Sequence, residues 1–388
     1  MATRQETVQE NTPQPEKVPA ETKPSPFAGP SRLMSIDVFR GFTMFFLVGE
    51  ATGIYDLLVS PQLNGTLVSA IATQFHHHPW NGLRFWDLIQ PFFMFIVGAA
   101  MPFSIGRRLE RGDTWAETFR HVLLRSFLLL LFGWALYCIG PGRLTFELWN
   151  VLAQLSFTYL VAFLMMRKSP QAQIGFTLAL LVITELAYRL FPVPGFNQPF
   201  VPDHNFGSYV DLLLMHKLSR GHWVAFNAVP TTAHTMWGVL AGQVLRSTRS
   251  PGQKIKILAA GGLIGVIAGY ALNPVTPIIK RICTSSFVIV SGGWCLLALA
   301  FSYWLVDVKK VQSWPKFFAF VGMNSLFIYL LTETGGSEWL EHIVKPFSQG
   351  FFVWTGELPA RIITSLVVWG LLWSICYWLH RRKIFIRI

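Results

Sequence analysis

The sequence predicts an all-α polytopic membrane protein of about 10 transmembrane helices, with its N-terminus and C-terminus both cytoplasmic. Composition is the first reason: 52% of residues are hydrophobic and only 13% are charged. A mean hydropathy of +0.43 is the second, since a soluble domain rarely carries so little charge among so much apolar surface. The third is that the cations fall in clusters between apolar stretches, which is the pattern that sets membrane orientation.

Taken in order, residues 1–31 are rich in Pro, Glu, Lys and Thr and contain no apolar run. They are expected to form a disordered cytoplasmic tail, neither a signal peptide nor a folded domain. Residues 32–388 then form one transmembrane domain. Crossing the hydrocarbon takes about 20 apolar residues. Stretches of that kind are expected at 38–58, 86–106, 119–139, 148–166, 174–191, 228–245, 257–273, 283–306, 317–333 and 360–380. Pro91 and Gly98 interrupt the second, as suits helices around a polar cavity rather than in plain lipid. No internal repeat is evident.

With the N-terminus inside, the inner loops hold Arg107, Arg108 and Arg111, then Arg167 and Lys168, then Arg249, Lys254 and Lys256, then Lys309, Lys310 and Lys316, and finally Arg381, Arg382, Lys383 and Arg387. The outer loops carry far fewer cations for their length. This bias accounts for the net charge of +12, so a nucleic-acid partner is not called for. Cys138, Cys283, Cys295 and Cys376 sit in or beside apolar spans without CxxC spacing and support neither a zinc site nor a disulfide framework.

Two outer loops are long enough to build a site, 59–85 and 192–227. The second mixes prolines with Asp203, His204, Asn205, His216, His222 and Trp223, a set suited to a sugar or another polar ligand, or equally to a re-entrant loop with interfacial aromatics.

The run Arg32-Leu33-Met34-Ser35-Ile36-Asp37-Val38-Phe39-Arg40-Gly41, then His77-x-x-Trp80-Asn81-Gly82, then Asp87-Leu88-x-x-Pro91-Phe92, is similar to the start of the heparan-α-glucosaminide N-acetyltransferase family and its bacterial relatives. Asn273-Pro274 with Lys280, Thr284-Ser285-Ser286-Phe287, and Gly322-Met323-Asn324-Ser325 with Tyr329 look like later blocks, so the resemblance covers residues 32 to 333. It implies an integral-membrane acyltransferase that passes an acetyl group from cytosolic acetyl-CoA, its co-substrate, to an amino sugar or glycan on the far side, without a metal. The family's catalytic histidine lies three residues before the Trp of its motif, which here is His77. The chain departs from the pattern at Glu50, where relatives usually carry Asn, and in a longer connection to the histidine.

Chemistry assigns the remaining roles. Imidazole can take the acceptor's proton or carry the acyl group near neutral pH. His76 and His78 are alternatives to His77, and a metal role for the cluster is a further one, though adjacent ligands rarely converge on one ion. Asp87 is the nearest carboxylate that can fix the imidazole tautomer. Asn81 and Asn324 are candidate donors to the oxyanion, Asn324 also falling to the donor side.

Asp37 and Arg40 share a helix face, where they either pair or leave Arg40 to meet a CoA phosphate; Arg120 and Arg125 are further phosphate candidates. The expected acceptor side comprises Trp80, His78, Glu50, Lys280 and His234. For Lys280 the alternative is snorkelling, and for His234 a helix–helix hydrogen bond. A tunnel between helices should join the two faces.

The expected partners are thus acetyl-CoA, the glycan acceptor and the lipid bilayer, with a homodimer left open. A bacterial-type homologue in a plasma or inner membrane is expected. A glycan O-acetyltransferase keeps the chemistry and changes the acceptor. A proton-coupled transporter using Glu50 and His234 is the rival from another class, but its usual repeats are missing.

Overall fold

Helices lie at each of the segments whose apolarity predicted them. The computed structural model describes residues 33–311 and 313–386, so the expected tail falls outside the described residues. α1 (Met34–Glu50) is followed by the short α2 (Ile54–Leu58) and α3 (Leu67–Thr73), then α4 (Ile89–Glu110), α5 (Trp115–Ile139), α6 (Val151–Met165) and α7 (Pro170–Arg189). Next come α8 (Phe206–Met215), α9 (Ala228–Arg246), α10 (Pro251–Leu272) and α11 (Ser285–Tyr303). α12 (Lys316–Met323), α13 (Ser325–Glu333), α14 (Gly336–Phe352) and α15 (Glu357–Arg381) complete the described chain. Among the described residues the β-type pairing is an isolated bridge between Asn81 and Ile279.

Among the described residues six segments are long and apolar enough to cross a membrane: Phe85–Glu110, Trp115–Ile139, Pro170–Arg189, Pro251–Leu272, Ser285–Val308 and Glu357–Arg381. The chain is therefore a multi-pass membrane protein. Rows of exposed apolar side chains agree with this, such as Ile174, Leu178, Val182 and Leu186 on α7 and Leu263, Ile264 and Ile267 on α10. Contiguous apolar rows of this size are unusual on a soluble surface.

The remaining expected spans are shorter or more polar for a physical reason. α1 has 17 residues and α6 has 15, while α9 carries Thr231, Thr232, His234 and Thr235, all buried. These helices face other helices, so neither lipid thickness nor lipid polarity sets their composition. The ninth expected span is two helices, α12 and α13, broken at Asn324.

Two segments differ from the sequence reading. The first expected span stops early: α1 ends at Glu50, and Gly53, at φ +69°, turns the chain into α2. Glu50 thus closes a helix rather than lying in its middle. The second is α14, in a stretch read as a connection. It exposes Trp339, Ile343, Phe347 and Phe351 at four-residue spacing and buries Leu340, Val344 and Ser348, the two-sided character of a helix lying in a membrane interface.

α1 is held against α12 by mutual glycines. A Cβ on Gly41 would strike the Phe318 carbonyl, and one on Gly322 the Asp37 carbonyl. Without side chains there the two backbones approach closely, as small residues allow in membranes, where dispersion and interhelical contacts replace the hydrophobic driving force. This crossing brings the start of α1 beside the break at Asn324.

Candidate active site

The loop after α3 is wrapped around a buried carboxylate. Asp87 is 1% exposed, and its Oδ2 accepts the backbone N–H groups of Arg84 at 2.9 Å and His78 at 3.2 Å. Its Oδ1 lies 2.9 Å from His77 Nδ1. Two backbone donors on one oxygen favour the ionised carboxylate. That assigns the proton of His77 to Nδ1, which donates to Asp87, and leaves Nε2 with its lone pair.

Lys280 comes to the same imidazole from the segment between α10 and α11. Gly82 N–H donates to the Ile278 carbonyl at 2.8 Å, and Asn81 bridges Ile279, so the histidine loop and the Lys280 segment are pinned side by side. Lys280 Nζ sits 3.2 Å from His77 Nδ1 and 5.4 Å from the centre of the Trp223 ring. Trp223 meets His77 edge to face at 5.2 Å. Both long loops therefore contribute to one site.

Burial, and then the Lys280 charge, pull the His77 pKa down to about 4, with Asp87 opposing the shift. Burial likewise lowers Lys280 to about 8, against the pull of the Asp87 carboxylate. At neutral pH the site thus holds a neutral imidazole between an anion and a cation.

The neighbouring histidines point elsewhere. His76 Nε2 pairs with Asp56 at 3.1 Å and its Nδ1 faces the Ala72 carbonyl at 3.1 Å. His78 packs its ring on Gly82, whose φ of +148° and lack of Cβ leave the space. The three rings do not converge on a common point.

His77 and Lys280 line a cavity of about 150 Å³ with Glu50, Gln90, Tyr329 and Glu333. At the opposite end of α1 a second cavity, of about 260 Å³, is lined by Asp37, Arg40, Arg107, Arg125, Tyr159 and Ile386, among others. Phe93 and Leu152 line both cavities, so the two abut. In the second cavity Arg40 and Asp37 are 3.6 Å apart, and the Arg125 guanidinium lies 4.6 Å over the Tyr159 ring. Planar guanidinium groups of this kind suit phosphate oxygens.

Other expected site residues are placed differently. Trp80 donates its indole N–H to the Phe200 carbonyl at 2.8 Å, tying the two outer loops together. Asn81 is exposed and is not among the residues lining either cavity. His234 is fully buried between helices, with Nε2 at 2.8 Å from Ser291 Oγ and 3.2 Å from the Val288 carbonyl, the helix–helix hydrogen bond expected as its alternative, while its Nδ1 has no partner among the described residues. Asn324 directs its amide to Ile384 and Ile386 and is not among the residues lining either cavity, so it is not placed as the expected oxyanion donor. Glu333 and Tyr159 were not expected. Glu333 could have been found by the argument applied to Glu50, since it too is an ionisable group inside an apolar span.

The chain is similar to human (Homo sapiens) heparan-alpha-glucosaminide N-acetyltransferase, at 26% identity over 430 aligned positions covering 92% of this chain and 60% of the relative. The mouse (Mus musculus) protein of the same name is similar at 25% identity over 423 positions, covering 92% and 61%. The chain spans about three fifths of the length of the curated relatives it matches. No family model matches it.

Proposed function

We propose that the chain is a membrane-bound acetyltransferase that draws an acetyl group from acetyl-CoA on the cytoplasmic side and delivers it to an amino sugar or glycan on the other side of a plasma or inner membrane. The observation that carries this reading is the wall common to the two cavities: Phe93 and Leu152 line both the arginine-lined space and the one holding His77. An extended acyl-pantetheine arm would cross at that wall, with its nucleotide held by Arg40, Arg107 and Arg125.

The chemistry needs one imidazole. The acceptor nitrogen attacks the thioester carbonyl carbon and the carbon–sulfur bond breaks. His77 Nε2 receives the acceptor's proton, and the resulting imidazolium returns it to the departing thiolate. Asp87 stabilises that imidazolium through Nδ1. Lys280 places a positive charge beside the developing oxyanion.

Purified protein given labelled acetyl-CoA and mixed amino sugars should release CoA and label the sugar. Product analysis separates N- from O-acetylation. Neither release nor labelling would sink the reading and favour transport.

The rate should fall below about pH 4 as His77 protonates, and again above about pH 8 as Lys280 loses its charge. Lys280→Met should abolish the alkaline limb. It should also move the acid limb to higher pH, because the cation that disfavours imidazolium is gone. An acid limb that stays in place or moves lower would separate Lys280 from His77. Phe93→Ala should open the common wall and admit water to the thioester, raising acceptor-independent CoA release; unchanged leakage would show that the path lies elsewhere.

A further inference from the structure

Asn324 sits at the break between α12 and α13, and its side chain turns away from the cavity its neighbours line. Gly322, Met323 and Ser325 all line the arginine-bearing cavity. Asn324 itself is fully buried; its Nδ2 donates to the Ile384 carbonyl at 3.1 Å and its Oδ1 accepts the Ile386 N–H at 3.0 Å. One amide thus engages an extended segment in both directions, as a neighbouring strand would.

The pinned segment is held only in part by its own burial. Ile384, Phe385 and Ile386 remain 41%, 37% and 42% exposed, so burial is only part of what fixes them. The Ile384 N–H donates to the Leu379 carbonyl at 2.9 Å and the Phe385 ring meets His380, while Asn324 bonds Ile386, the residue of the segment that lines the cavity. The segment also follows directly on Arg381, Arg382 and Lys383, which brings cationic sequence toward the side where Arg40, Arg107 and Arg125 gather. An anchor meant only to tidy a surface strand would need neither a buried two-way amide nor a residue inside a cavity.

We propose that Ile386, at the end of this segment, is a wall of the acyl-donor site and that Asn324 is the positioning residue that holds it there. The strap sets affinity for the donor, an anionic phosphoester carrying a thioester, and takes no part in the acyl transfer itself. This inference rests on the acetyltransferase reading above.

The test is steady-state kinetics on full-length protein, with CoA-induced thermal stabilisation measured alongside. Asn324→Ala should raise KM for acetyl-CoA about tenfold, the effect of one lost net hydrogen bond or so, while kcat and the acceptor KM stay within about twofold. The stabilisation by CoA should shrink in parallel. Ile386→Trp leaves the clamp intact and intrudes on the cavity, so it should raise the same KM; it carries the test if the first variant does not fold. A wild-type donor KM in a folded variant, or an equal loss against both substrates, overturns the inference while the transferase reading stands. Wild-type protein that neither transfers acetyl groups nor is stabilised by CoA overturns both.

Discussion

Replacing His77 with alanine is expected to lower kcat for acetyl transfer by about a hundredfold to ten-thousandfold, the range for loss of a positioned general base. The fold should survive, because the ring is only half-buried and its contacts are with Asp87, Lys280 and Trp223 rather than with the helix core. Lys280 remains nearby to balance the Asp87 carboxylate. His76→Ala and His78→Ala should have smaller effects, since one ring is tied to Asp56 and the other packs on Gly82. Initial rates of CoA release, with thermal unfolding as the control, decide the matter. If His77→Ala kept near-normal rates while a neighbouring substitution lost them, the imidazole assignment would be wrong.

Asp87→Asn should be nearly as damaging and for a more specific reason. The asparagine oxygen can still accept the Arg84 and His78 backbone N–H groups, so its NH₂ must face His77 Nδ1. Nδ1 would then have to accept, which places the imidazole proton on Nε2 and removes the lone pair the reaction uses. A kcat loss of about a hundredfold or more is expected, together with about 1–3 kcal/mol of lost stability from the disturbed buried carboxylate. Single-turnover CoA release isolates the chemical step. A variant with normal single-turnover rates would mean that Asp87 holds the loop and does nothing for the tautomer.

The parts of this molecule that a linear reading reaches are those whose causes are local. Apolar rows of membrane length are visible as composition, and so are the long helices facing outward. The His77–Asp87 pair lies within one short loop, so proximity in sequence pointed to proximity in space. Trp223 and Lys280, by contrast, arrive at His77 from loops far along the chain, and nothing in their own neighbourhoods announces the meeting.

Where the reading went astray, tertiary partners decided the outcome. Asn324 looked like an oxyanion donor by residue type, yet residues 384–386 occupy both ends of its amide. His234 is expected on the acceptor side, with a helix–helix hydrogen bond as its alternative, and Ser291 on the neighbouring helix takes up its Nε2. Glu50 seemed to be in mid-span because the apolar run continues through Leu58, and only the left-handed turn at Gly53 reveals that the helix has already ended.

The wall formed by Phe93 and Leu152 also bears on the membrane voltage. Water-accessible cavities on either side conduct the potential inward, so the electric field concentrates across whatever dry layer remains between them. A charge that passes this layer experiences much of the full potential, worth about 2.3 kcal/mol per elementary charge for each 100 mV. Because the imidazolium hands the acceptor's proton to the thiolate beside His77, the arm withdraws as a neutral thiol and only uncharged groups pass this layer. Acetylation is therefore expected to be electrically silent, and a current coupled to turnover would mean that proton and thiolate part across the wall.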